Sequence, residues 1–251
     1  MTGSRALPSP RLRASRMALR PEDLAKTIEH TLLDEDATPA AIECLCDEAR
    51  SHHVATVCVP PGHVDRAAEL LRGDDVKVAA LVGFPAGAAS LAERVASVAA
   101  AIAAGADELD LVLNESALTS GDFRLVYEEL SALVRTARLR SVNRAKGQPL
   151  LKVVADLSLL QDKAQRLVCR LIERSGADFA VVPLGPGSGA ARFHEIELAR
   201  EYLPERVGVK AWGAVATLDE ALALVNAGAG RIGTAGASGI MDASVDVGGA
   251  R

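Results

Sequence analysis

A chain of 251 residues, 49% hydrophobic and 24% charged, is long enough for one large domain with a sizeable core. With one Trp, two Tyr and four Phe, that core must be built mainly of Ala, Val and Leu, a composition that argues against base-stacking nucleic-acid modules. A net charge of -5 gives no reason to expect a polyanionic partner, and no apolar run approaches the about 18 residues of a membrane span, so neither nucleic acid nor a membrane is expected.

Residues 1–20 carry Arg5, Arg11, Arg13, Arg16 and Arg20 without a single acid and read as a disordered extension outside the fold. A transit peptide, or a true start at Met17, are the alternatives. Lys26–Leu33 reads as a short first strand. Thr38-Pro39 then opens a helix to about His52, with Thr as N-cap and Pro in the first turn, where its missing N–H does no harm. Val54–Val59 is a strand, Pro61-Gly62 a turn, His63–Arg72 a helix and Val76–Phe84 the third strand. Ser90 and Glu93 have capping-box spacing ahead of a helix that stops at Gly105. The run around Asp110 is the fourth strand, followed by a helix from about Asp122 to Arg138 and a basic loop to Lys146. The Lys152 strand, a helix over Asp162–Ser175 and the strand Phe179–Leu184 come next, the last running into the Gly/Pro loop 185–189. Residues 192–202 are helical, the Lys210 strand follows, Thr217 and Glu220 cap a helix that ends at Gly228, and Arg231–Thr234 is the eighth strand.

Right-handed βαβ units in that number predict an α/β fold closed into a (β/α)8 TIM barrel, a single domain over 21–241 with a flexible tail at 242–251. A doubly wound open sheet is the alternative, weakened by the lack of Gly-x-Gly-x-x-Gly after the first strand. Three strands carry a charge inside an apolar run: Asp110, Lys152 and Lys210. A lone ion facing packed helices is too costly, so all three are expected in the shared barrel interior, with Asp110 neutralising the lysines. Cys44, Cys46, Cys58 and Cys169 have neither zinc-site nor disulfide-framework spacing, so no metal is expected and a reduced, cytoplasmic protein is the default. Cys58 reads as a small buried thiol and His30 as a fold-stabilising hydrogen-bonder at the end of strand one, while His52, His53, His63 and His194 read as surface or helix-end residues.

Six segments carry a resemblance: Glu29-His30-Thr31-Leu32-Leu33, Val57-Cys58-Val59, Val82-Gly83-Phe84-Pro85-Ala86-Gly87, Gly105-Ala106-Asp107-Glu108-Leu109-Asp110, Gly176-Ala177-Asp178-Phe179 and Gly208-Val209-Lys210-Ala211. In this order and spacing, across roughly residues 26–240, the chain resembles deoxyribose-phosphate aldolase. The resemblance implies a (β/α)8 class I lyase, without metal or cofactor, that reversibly cleaves 2-deoxyribose 5-phosphate to acetaldehyde and glyceraldehyde 3-phosphate. In that family a lysine on the sixth strand forms the Schiff base, a lysine on the seventh lowers its pKa, and an aspartate on the fourth moves protons. Lys210 matches the seventh-strand lysine, Asp110 the aspartate and Lys152 the family's fifth-strand lysine.

The sixth strand departs from that pattern. Where the family continues Val-Lys-Thr-Ser-Thr-Gly, this chain reads Ala180-Val181-Val182-Pro183-Leu184-Gly185, and residues 164–209 contain no lysine. The Schiff-base position is Val181. The phosphate end differs too: Trp212-Gly213-Ala214 replaces Ser-Gly-Gly, and Ala235 and Gly236 replace serines. Backbone N–H groups at Gly185, Gly187, Gly213, Gly233 and Gly236 remain as candidate phosphate donors, while Trp212 takes volume a sugar phosphate would need. Three functions are consistent with this pattern. One is an aldolase-like lyase with reduced or altered activity through Lys210 or Lys152. Another is a pseudoenzyme that binds a small phosphorylated sugar or aldehyde, or a partner subunit, a homodimer being allowed. The last is other carbonyl or proton-transfer chemistry using Asp110 and Lys210.

Overall fold

The computed structural model describes residues 19–34, 36–185 and 193–248. Most of the basic N-terminal segment and most of the 185–189 loop, Gly187 included, lie outside the described residues. Among those described, eight parallel strands close a barrel in sequence order: β1 (Ile28–Thr31), β2 (Thr56–Val59), β3 (Lys77–Val82), β4 (Glu108–Val112), β5 (Leu150–Val154), β6 (Phe179–Pro183), β7 (Gly208–Trp212) and β8 (Arg231–Thr234). β8 pairs back onto β1 through Gly233 and Glu29, so no sheet edge is left open.

The helices around the barrel are α1 (Pro21–Ala25), α2 (Pro39–Ser51), α3 (Val64–Leu70), α4 (Leu91–Ala103), α5 (Glu115–Ser120), α6 (Phe123–Arg140), α7 (Asp162–Ser175), α8 (His194–Tyr202), α9 (Leu218–Asn226) and α10 (Ala237–Gly248). Their starts follow the local chemistry. Thr38, Asn114, Asp122 and Thr217 each accept a backbone N–H of the first turn, and Ser90 with Glu93 forms a reciprocal capping box. Three elements depart from the sequence reading. A short α5 is inserted between β4 and α6, because Asn114 caps a turn that Gly121 ends in the left-handed region, φ 79°. α1 precedes the first strand, and α10 runs to Gly248, past the 241 boundary.

The period-two alternation of the strands sorts their side chains into two apolar layers. Outward positions such as Val57, Val78, Leu109, Leu151, Ala180, Val209 and Ile232 join the helices in the main core. The inward positions Cys58, Ala79, Leu81, Val112, Val154 and Val181 form a second cluster, against which Leu33 and Trp212 pack. Inward positions below this second cluster are mainly charged, and the candidate site begins there.

Candidate functional site

Asp110, Lys152 and Lys210 do meet in the barrel interior, at 2%, 0% and 1% exposure. Their registers place them there: Asp110 lies opposite Lys152 across β4 and β5, and Lys210 lies opposite Val181 across β6 and β7. Lys210 Nζ pairs with Asp110 Oδ2 and with Glu29 Oε1, and Lys152 Nζ pairs with Glu29 Oε2. Lys152 Nζ also lies 2.7 Å from Asp110 Oδ1 and 2.9 Å from Glu108 Oε2.

The sequence reading missed three members of this cluster. Glu29 on β1 is fully buried and touches both lysines. Arg231 on β8 reaches across to Glu108 at 3.4 Å, Glu29 at 3.8 Å and Thr56 Oγ1 at 2.5 Å, and its guanidinium lies 5.8 Å from the Phe179 ring centre. Thr56, Glu108, Phe179 and Arg231 thus form one layer from the four even-numbered strands, as a closed barrel of this kind requires. Among the described residues the cluster holds three carboxylates (Glu29, Glu108, Asp110) against three cations (Lys152, Lys210, Arg231), so its formal charge is zero.

The electrostatics follow from that balance. Burial opposes the charge on Glu29, but Lys152, Lys210 and Arg231 outweigh it and hold the carboxyl well below the usual range. Glu108 is held down in the same way by Lys152 and Arg231. Burial also opposes the charge on Lys152, yet Asp110, Glu108 and Glu29 together hold its ammonium well above the ordinary value. Burial, with Glu29 and Asp110 nearby, pushes the Cys58 thiol up, so it is a packed thiol and not a thiolate. Glu29, Cys58 and Asp110 lie close enough to share a metal ion, but the Lys210 ammonium already sits on both carboxylates.

Val181 is 0% exposed and packs in the apolar inner cluster, directly above the charges. Trp212 covers that cluster at the end of β7 and meets Phe84 edge-on, ring centres 5.8 Å apart at 66°. Three glycines at this end, Gly213, Gly233 and Gly236, are packed against the chain itself. A Cβ on Gly233 would stand 2.8 Å from Lys210 Cε and 3.1 Å from Trp212 Cδ1; one on Gly213, 3.0 Å from Leu184 Cβ; one on Gly236, 2.6 Å from the Val215 carbonyl. The N–H of Gly213 donates to the Gly233 carbonyl and that of Gly236 to Thr234 Oγ1, while the N–H of Ala216 is taken by Glu220 at the start of α9. A Cβ at Gly185 would meet nothing within 4 Å. His30 faces away from the barrel interior and bonds Glu48 on α2 through Nε2 at 2.8 Å.

Comparison with known proteins decides the family. A family model described as DeoC/LacD family aldolase matches residues 24–143. A deoxyribose-phosphate aldolase from Brevibacillus brevis is 42% identical over 212 residues, 84% of this chain and 92% of that one. This chain belongs to the deoxyribose-phosphate aldolase family. A second aldolase of that name, from Thermoanaerobacter pseudethanolicus, is 39% identical over 84% of this chain and 92% of its own. Two solved structures superpose closely. A putative deoxyribose-phosphate aldolase from Coccidioides immitis is 30% identical with a TM-score of 0.81, covering 95% of this chain and 91% of that one. The deoxyribose phosphate aldolase from Aeropyrum pernix, described as a tetramer, is 28% identical with a TM-score of 0.78, covering 90% and 93%. At the sixth-strand position singled out in the sequence, the barrel interior holds the isopropyl group of Val181.

Proposed function

We propose that this chain is a deoxyribose-phosphate aldolase-family barrel without the imine step, a pseudoenzyme that holds a small carbonyl compound non-covalently at its mouth. The observation that carries this reading is Val181, fully buried among Cys58, Leu81, Val112 and Val154 where an attacking amine is required. The two interior lysines are poor substitutes. Imine formation needs a lone pair on nitrogen, whereas Lys152 faces three carboxylates and Lys210 two. Asp110, the proposed proton carrier, has both oxygens engaged by those same ammonium groups. Among the described residues, the Gly213 and Gly236 amides are satisfied within the chain and Glu220 places a carboxylate at the α9 N-terminus, which disfavours a phosphate at that part of the mouth. Uncharged aldehydes and ketones are therefore favoured over sugar phosphates. Cytoplasmic location and self-association belong to the same proposal. They are supported by four unpaired cysteines, by the absence among the described residues of any helix able to cross a membrane, and by the tetrameric relative.

Borohydride reduction with acetaldehyde, read by intact mass and peptide mapping, tests it. The native chain is expected to gain no adduct and to leave deoxyribose 5-phosphate uncleaved. Val181→Lys adds a fourth cation to a balanced cluster, which depresses the new amine and is expected to restore a trapped adduct at position 181. An adduct on Lys210 or Lys152 of the native chain overturns the proposal.

A further inference from the structure

β3 and β7 stand four strands apart in an eight-stranded barrel, on opposite sides of its mouth. The loop after β3 carries Phe84, 43% exposed, and Trp212 ends β7. Their edge-to-face contact, 5.8 Å between ring centres, therefore spans the opening from one wall to the other. We propose that the Gly83–Gly87 loop is a strap across the barrel mouth and that Arg94 on α4 is the positioning residue that seats it.

The seat is built from buried groups. Arg94 is 1% exposed; its Nη1 bonds Glu129 Oε2 at 2.9 Å on α6 and the Gly87 carbonyl at 3.4 Å, and its Nη2 bonds the Val112 carbonyl at the end of β4. One guanidinium thus ties the loop's last residue to β4 and, through Glu129, to α6. Gly83 and Gly87 adopt φ of 84° and 64°, the left-handed region that glycine tolerates. They also let backbones close up: a Cβ at Gly87 would stand 2.3 Å from the Leu113 carbonyl, and one at Gly83 3.2 Å from Arg94 Nε. The Gly87 N–H closes the turn onto the Gly83 carbonyl at 2.7 Å, and the Glu115 N–H holds the Ala86 carbonyl at 3.0 Å. Base and tip are therefore held very differently. The loop's base is locked by ionic and main-chain bonds, while its tip is a half-exposed ring that meets Trp212 edge-on. Such an arrangement hinges at the tip: Phe84 lifts from Trp212 to admit a ligand while Arg94 keeps the loop over the opening. Its use for ligand entry rests on the mouth being the binding face; the strap itself does not.

Trp212 is the chain's sole tryptophan, so its fluorescence reads the strap without any ligand. Phe84→Ala is expected to raise acrylamide quenching of Trp212 about twofold, as a ring shielded on one edge becomes open. Arg94→Lys keeps the charge but not the fork, and is expected to fold with unchanged circular dichroism and give the same rise. In the double variant the two effects are expected not to add, because both act through one contact. Quenching of Arg94→Lys at the native level, or strictly additive effects, overturns the proposal. Should Arg94→Lys not fold, Glu129→Gln serves in its place, with amide exchange at 83–87 as second readout; slow exchange there together with native quenching counts against it. Imine trapping plays no part in these measurements, so the two proposals fail independently.

Discussion

Glu29 touches both interior lysines and lies within 3.8 Å of Arg231. Replacing it by Gln removes one negative charge from a closed set and leaves a largely buried cluster with an excess cation. Glu29→Gln is therefore expected to lower unfolding stability by about 3–5 kcal/mol, measured by urea denaturation. The exposed pair Arg20–Asp23 gives the contrast: Arg20→Gln is expected to leave the urea midpoint unchanged, because solvent screens that contact. A native-like midpoint in Glu29→Gln means the balance argument is wrong. These residues also differ in how far the sequence betrays them. Asp110, Lys152 and Lys210 each break an apolar run, and buried charge in a parallel strand has only the interior to go to. Glu29 sits in Ile28-Glu29-His30-Thr31, too polar a segment for one more charge to stand out. Glu108 and Arg231 open their strands, where a charge interrupts no apolar run. Counting the charges needed to neutralise two lysines with one aspartate would have called for a further acid, and that was the available signal.

Among the elements, α4 carries two duties, packing against β3 and α6 and delivering Arg94. Its N-terminus is fixed by the Ser90–Glu93 capping box, with Ser90 Oγ accepting the Glu93 N–H at 3.3 Å and Glu93 accepting the Ser90 N–H at 2.9 Å. Ser90→Ala is expected to cost about 1 kcal/mol and to lower Tm by a few degrees in calorimetry, since the first turn then exposes unpaired donors. Gly236→Ala belongs to the same scale and is expected to cost about 1–3 kcal/mol, because its Cβ would press on the Val215 carbonyl at 2.6 Å and main chain gives way poorly. No change in the Gly236→Ala unfolding curve would show that the α9 and α10 connections are looser than their contacts indicate. Eight strands and the larger helices were readable from apolar runs, caps and glycine stops. The helices α5 and α10 were not: α5 is a single capped turn of Glu115–Ser120, and α10 is rich in Gly, Ala, Ser and Asp, a composition that reads as tail until β1 and α2 are seen beneath it.

For the molecule as a whole, the balanced interior sets how stability responds to pH. Glu29 and Glu108 are held below the ordinary value of about 4.3, so their contribution is complete above about pH 5 and is lost as pH falls through their lower folded values. Lys152 is held above about 10.4, so its contribution is complete below about pH 9 and is lost as pH rises through its folded value. Urea midpoints are accordingly expected to be level from about pH 5 to 9 and to fall on either side. A midpoint that climbs on acidification below about pH 4 would show that protonating these carboxyls relieves the fold and that the ion cluster does not stabilise it.

The pairing of β8 with β1, together with the packing of α10 against α1, brings the first and last helices among the described residues side by side. Covalent order along the polypeptide is then almost incidental to the finished ring. A short peptide bridging those helices, with a new opening cut in the polar Arg140–Gly147 connection, should yield a circularly permuted ring whose apolar layers, ion cluster and strap are all retained.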